Sequence, residues 1–217
     1  RRFAAFVFIS MLAYSAQDLV LEPFAGAVMG LTPGQSTQLG GTQHGGVLLG
    51  MLAVAFLARV SGNASLGLLR RVMIGGCLGS ALMLLVLAVA GFADGQWPLS
   101  ASVFLLGLCN GIFAVAAIAC MMGLVSSGRE GRDGTRMGVW GAAQAMAFGL
   151  GGIAGTAVVD ITRYLFGSAL YAYAIVFVAQ ALMFACAAVL AARLTRTQRD
   201  ATLAPSTALG IDPGAVA

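Results

Sequence analysis

The stretch FAAFVFISMLAYSAQDLVLEPFAGAVM, residues 3–29, decides the fold. It is long and apolar enough to cross a bilayer, yet it carries Asp18 and Glu22 one helical turn apart, with Pro23 directly behind them. A transmembrane helix needs about 20 mainly apolar residues. A charge at mid-membrane costs on the order of 3 kcal/mol by insertion scales, so intramembrane carboxylates by default mark functional positions.

Working outward, runs of the same kind recur at residues 41–57, 69–92, 99–125, 137–161 and 168–194. Of the 217 residues 59% are hydrophobic and only 9% charged, against about 25% charged in soluble domains. A mean hydropathy of +0.92 is more than one water-soluble core can hide. The runs are long and rich in Ala, Leu and Gly rather than short and alternating, which fits helices and not a barrel. The expected fold is therefore all-α: a polytopic membrane protein with a six-helix transmembrane bundle over residues 1–194. Residues 195–217 turn polar and gather Pro205 and Pro213, so a disordered cytoplasmic tail is expected there.

Cytoplasmic loops of membrane proteins carry an excess of positive charge. All 12 basic residues are arginines, and all but Arg163 fall at alternate ends of the spans, among them Arg2, Arg59, Arg70, Arg71, Arg129, Arg132, Arg136 and Arg193. Both termini are expected to be cytoplasmic. The net charge of +4 then reflects topology, and without a basic stripe interleaved with aromatics no nucleic-acid partner is expected.

Cys77, Cys109, Cys120 and Cys186 lie inside spans with no CxxC spacing, which argues against zinc and disulfide frameworks. Glycines four apart, such as Gly46 and Gly50, Gly107 and Gly111, and Gly151 and Gly155, let helix backbones approach closely in lipid and point to a compact bundle. No nucleophile with a base, metal-spaced cluster or phosphate loop is present, so an enzyme is not expected. The glycine- and arginine-rich segment 128–138 lacks the Walker lysine and reads as a solvated cytoplasmic loop.

Counting from the start of the first span, Asp18 lies about 22 Å and Glu22 about 28 Å along a core about 30 Å thick. The chain leaves through LTPGQST, residues 31–37, and re-enters near Gly41, which puts Gln43 and His44 in the first turn of the second span. His44 is thus expected at the depth of Glu22. Pro23 cannot donate to the carbonyl of Leu19, so the helix bends and frees an acceptor. Gln17, Ser15 and Tyr14 make this part of the helix polar enough to need a cavity or a partner. Asn110, Gln144 and Gln180 are lone intramembrane amides, each readable as a packing hydrogen bond worth about 1 kcal/mol. His44 is the single histidine of the chain. It reads as a helix-start residue donating to Glu22 or water, as half of a proton relay with Glu22, or as a neutral metal ligand for the magnesium of a tetrapyrrole. In the last case Glu22 or a backbone carbonyl would orient the second ring nitrogen.

The run YSAQDLVLEPFAG at residues 14–26, followed by LTPG at 31–34 and TQHGGVLLGM at 42–51, resembles the PucC family of bacteriochlorophyll-linked membrane proteins. GVWGAAQA at residues 138–145 is similar to another stretch of that family. The resemblance implies the major facilitator superfamily, with twelve helices in two six-helix halves, of which this sequence corresponds to the carboxy-terminal half. Segment 58–71 matches the superfamily's loop between second and third helices of a half but lacks its acidic residue, and Gln180 stands near where the family often has an acid.

What the resemblance implies for function is assembly of light-harvesting complexes in the bacterial inner, intracytoplasmic photosynthetic membrane. The chain would deliver bacteriochlorophyll as cargo or chaperone antenna polypeptides. Partners expected on this basis are membrane lipid, antenna polypeptides or a reaction-centre complex, and an amino-terminal half or a homodimer partner. The site positions it carries over are Gln17, Asp18, Glu22, Pro23, Gln43 and His44, with His44 as the candidate magnesium ligand. Two alternatives stand beside it. One is a proton-coupled transporter of a small organic solute, in which Asp18 and Glu22 exchange protons, and the other is a structural subunit of a photosynthetic complex.

Overall fold

A computed structural model of the chain describes residues 2–61, 66–93, 97–126 and 133–203. It contains six helices: α1 (Arg2–Ala27), α2 (Pro33–Val60), α3 (Leu66–Ala90), α4 (Leu99–Ser126), α5 (Asp133–Phe166) and α6 (Ala169–Leu203). Each is long and apolar enough to cross a membrane, and there is no strand among the described residues. The protein is an all-helical membrane protein.

Two helix ends differ from the sequence-based expectation. Helix α2 starts at Pro33 rather than near Gly41, because Thr32 caps it: the Thr32 N–H donates to Gln35 Oε1 at 2.9 Å while Thr32 Oγ1 accepts from the Gln35 N–H at 3.4 Å. This reciprocal box, with proline at the first helical position, starts a helix on a polar segment that otherwise reads as loop. At the other end α6 runs past Leu194 to Leu203, so the first residues of the expected tail are helical. Residues 204–217, and the expected loop around Arg129 and Arg132, lie outside the described residues. Gly30 at φ 66° closes α1 and lets the Leu31 N–H reach back to the Ala25 carbonyl at 3.1 Å, a left-handed stop that suits glycine.

The principal contacts pair α2 with α4 and α1 with α5, then α3 with α4 and α1 with α6, while α3 meets α6. Exchanging α1–α3 with α4–α6 maps this pattern onto itself. Helix α1 presents Phe6, Ala13, Val20 and Phe24 to the centre. Phe6 meets Phe113 edge-on at 6.2 Å, Phe113 meets Phe184 at 5.9 Å, and Phe24 meets Phe177 at 4.9 Å. In lipid such contacts hold helices together by close packing, since tails solvate an isolated phenyl ring as well as a core does. The outermost helices α2 and α5 bury the smallest shares of their spans, 28% and 33%. Helix α1 lies between them, so its uncovered face opens where α2 and α5 are also uncovered.

Candidate functional site between α1 and α2

Residues at i and i+4 share a helix face, and on α1 this places Tyr14, Asp18 and Glu22 in one row. The row is polar and uncovered to different degrees: Tyr14 and Asp18 are partly buried and Glu22 is exposed. Across the hairpin, Gln43 Nε2 donates to Asp18 Oδ1 at 3.0 Å. Gln43 is 2% exposed, so this bond clasps α1 to α2 from a packed position. One turn along, a Cβ added to Gly40 would sit 3.0 Å from Glu22 Oε1. The absence of a side chain there lets the Glu22 carboxylate lie against the α2 backbone.

His44 is exposed, beside Gln43 and within electrostatic reach of Asp18. Its Nδ1 lies 2.8 Å from the Gly40 carbonyl. A carbonyl can only accept, so Nδ1 carries the proton and a neutral ring keeps its Nε2 lone pair for another group. Leu48, Leu52 and Phe56 follow His44 at four-residue steps and are 59%, 57% and 70% exposed. An imidazole thus heads an apolar strip along α2.

The early start of α2 corrects the expected depths. Gln43 and His44 are about 15 Å inside α2, not in its first turn, and His44 stands level with Asp18 rather than Glu22. Glu22 is level with Gly40. Gln17 does not join this group: it is 0% exposed, faces the bundle interior, and its side-chain amide has no hydrogen-bond partner among the described residues. The Gln180 amide is likewise buried without a partner, whereas Asn110 Oδ1 accepts from the Ser80 hydroxyl at 2.7 Å. Ser15 Oγ donates to the Phe148 carbonyl at 2.8 Å and the Tyr14 ring lies 6.0 Å from that of Phe148, which ties the polar row to α5.

Among the described residues no three His, Cys, Asp or Glu side chains gather as a metal site. A magnesium bound by His44 would therefore have to bring most of its own ligands, as one inside a tetrapyrrole does. A separate cavity of about 630 Å³, lined in part by Leu31, Gln35, Gln38, Thr42 and Trp97, opens at the arginine-poor end. None of the carboxylates of the α1 row lines it.

Comparison with known proteins bears on this geometry. The sequence profile of the family described as "PUCC protein" matches residues 1–199. The chain is 49% identical over 191 residues to the "Bacteriochlorophyll synthase 44.5 kDa chain" of Rhodobacter capsulatus, covering 88% of this chain and 44% of that protein. It is 33% identical over 163 residues to an "Uncharacterized protein in puhA-bchM intergenic region" of the same organism, covering 75% of this chain and 32% of the other. It is 30% identical over 149 residues to "Protein PucC" of that bacterium, covering 66% and 30% of the two chains. The chain thus spans less than half the length of these relatives. No solved structure matches it.

Proposed function

The chain belongs to the PucC family, and from that premise we propose that it is part of an assembly factor for light-harvesting complexes that handles bacteriochlorophyll in the photosynthetic membrane. The observation that carries this reading is His44. Its Nδ1–H is held by the Gly40 carbonyl, its ring is exposed at mid-span, and an apolar strip of Leu48, Leu52 and Phe56 runs on from it. A neutral imidazole oriented through its other nitrogen is a good axial ligand, and an apolar strip suits a macrocycle with a hydrocarbon tail. A relative named as a chain of bacteriochlorophyll synthase supports the same cargo class.

In this reading Asp18 and Gln43 brace the hairpin, while Glu22 and the freed carbonyl of Leu19 keep it polar. The uncovered faces of α2 and α5 receive a second six-helix half, in keeping with the exchange pattern of the contacts. The test is purification in mild detergent from a pigment-producing host, with absorbance read at the bacteriochlorophyll bands. Wild type should carry pigment and His44→Ala should lose most of it. Pigment retained undiminished by His44→Ala would remove His44 as ligand, and no pigment or antenna polypeptide in either preparation would count against the function itself.

One observation favours a second reading. The Asp18–Gln43 hydrogen bond crosses two helices at mid-membrane, where a carboxylate that gains or loses a proton would change a helix contact, as a proton-coupled transporter requires. pH-driven uptake in proteoliposomes that survives both Asp18→Asn and Glu22→Gln would end that reading.

A further inference from the structure

The outer faces of α3 and α6 carry one pattern in opposite directions. On α3 an exposed stripe runs from Arg71 past Gly75, Leu78, Leu82 and Leu85 to Phe92. On α6 an exposed stripe runs from Tyr171 past Val178, Leu182 and Val189 to Arg193. The residues of each stripe recur at three- and four-residue steps or their sums, which keeps them on one helix face. The stripes start side by side: the Phe92 and Tyr171 rings meet edge-on at 5.7 Å, and next to them a Cβ on Gly91 would lie 2.7 Å from the Leu170 side chain.

Those contacts set the register of the other ends. The two helices run antiparallel, so about six turns back along α3 from Phe92 and about six turns on along α6 from Tyr171 bring Arg71 and Arg193 to one level, about 32 Å away. That length matches a hydrocarbon core of about 30 Å. Aromatic rings then stand at one boundary, where such rings gather in membrane proteins, and two exposed arginines at the other. The Arg71 side chain tilts toward the start of its helix, hence outward to the headgroups. Directly inward of it Gly75 leaves open space, since a Cβ there would touch nothing, and the leucines follow. Charge at the boundary, room beneath it and apolar surface below is the order of a phospholipid. Neither α3 nor the Ala169–Arg193 span of α6 contains an Asp or Glu, so an ammonium finds no carboxylate on this face. The principal contacts of α3 are with α4 and α6, which sets its outer stripe apart from the uncovered face of α1, α2 and α5.

We propose that the joint face of α3 and α6 binds an anionic glycerophospholipid, phosphatidylglycerol, with its phosphate on Arg71 and Arg193 and its acyl chains along the stripes of Leu82 and Leu182. These two leucines are 57% and 62% exposed. A guanidinium offers paired N–H donors that match phosphate oxygens. A lipid of net negative charge gains from both arginines, whereas the ammonium of a zwitterionic lipid is repelled by them and has no acid to meet.

The test is native mass spectrometry of the full-length protein released from nanodiscs of phosphatidylglycerol and phosphatidylcholine in equal amounts, with matched acyl chains. Phosphatidylglycerol should stay bound in preference to the choline lipid. Arg71→Gln and Arg193→Gln should each lower that preference about fivefold, the scale of one basic residue at an anionic lipid surface. Arg71→Lys keeps the charge but not the fork of donors, and should lower it less. Arg59→Gln removes an exposed arginine at the same end of the bundle but on α2, and should leave the preference unchanged. Equal retention of the two lipids would overturn the proposal. So would a loss with Arg59→Gln as large as with Arg71→Gln, because any surface arginine would then serve. Dimers that persist in choline-only discs and are broken by Leu82→Asn would also overturn it, since the face would then belong to a second copy of the chain.

Discussion

The two helix seams that flank the uncovered face are equivalents under the exchange of α1–α3 with α4–α6, and they are built differently. Between α2 and α4 glycines stand on both helices. A Cβ on Gly46 or Gly50 would overlap the Phe104 or Leu108 carbonyl, and one on Gly107 or Gly111 would overlap the carbonyl of Gln43 or Val47. Between α5 and α1 glycines stand on α5 alone. Gly151 faces the Leu12 carbonyl and Ser15, Gly152 faces the Leu19 side chain, and Gly155 faces Ala16. The first seam is backbone against backbone at all four glycines, whereas in the second only Gly151 meets a backbone carbonyl first, and a side chain of α1 stands nearest to Gly152 and Gly155. The tight seam therefore fixes the backbone of Gln43, and so the height at which Asp18 is gripped. The looser seam leaves space: a cavity of about 90 Å³ beside Gly151, Gly155 and Gln180, and one of about 220 Å³ under Pro23.

Breaking the tight seam should have the largest effect. Gly107→Ala places a methyl in the Gln43 carbonyl, and no flexible side chain is there to yield. We expect a loss of about 3 kcal/mol, the upper end for overpacking, read as a drop in the denaturant midpoint of the detergent-solubilised protein. On the looser seam Gly155→Ala should cost about 1 kcal/mol, because the new carbon would be 3.1 Å from the Ala16 Cβ. Adding Ala16→Gly should return part of that loss, since it removes the Ala16 Cβ but leaves the Ala16 Cα and carbonyl 3.2 and 3.3 Å from the new carbon. A double-mutant cycle with no coupling between positions 155 and 16 would show that the two helices do not meet there.

Six spans were legible in the sequence because a run of apolar residues long enough to cross a bilayer has few other uses. The start of α2 was harder, since PGQSTQLG, residues 33–40, is uncharged, polar and rich in glycine, all marks of a loop. The Thr32 and Gln35 spacing with Pro33 between them was the available signal for a capped helix. Starting α2 about two turns late puts His44 one turn off in level, beside Glu22 instead of Asp18. Gln17 was grouped with Asp18 as its chain neighbour, but successive helical residues point about 100° apart. Its spacing of seven from Ser10 and from Phe24 placed it on the inward stripe instead. Asp160 drew no notice from the sequence because a charge near a span end usually meets water. Only the tertiary fold sets it beside Pro23 and Tyr173.

The clasp sharpens the comparison at a smaller scale. Gln43→Leu keeps the bulk at a 2% exposed position and removes the donor to Asp18. Hydrogen bonds between membrane helices average about 0.6 kcal/mol, so the midpoint should shift by far less than in Gly107→Ala. If the two changes cost the same, the hydrogen bond rather than the glycine seam holds α2 in register.

His44→Ala should give the smallest change in stability, and that is what makes it informative. The imidazole stands on the tightly seamed helix but on its uncovered face, and its hydrogen bond goes to Gly40 of the same helix. Neither the glycine seam nor the Asp18 clasp depends on it. Surface substitutions of this kind fall within about 0.5 kcal/mol, so the melting curve in detergent should overlay that of wild type. Loss of pigment from such an intact protein would then report a ligand bond and not a damaged fold. A destabilised His44→Ala protein would instead mean that the ring packs against something on the uncovered face, and the comparison of the two seams would have to include it.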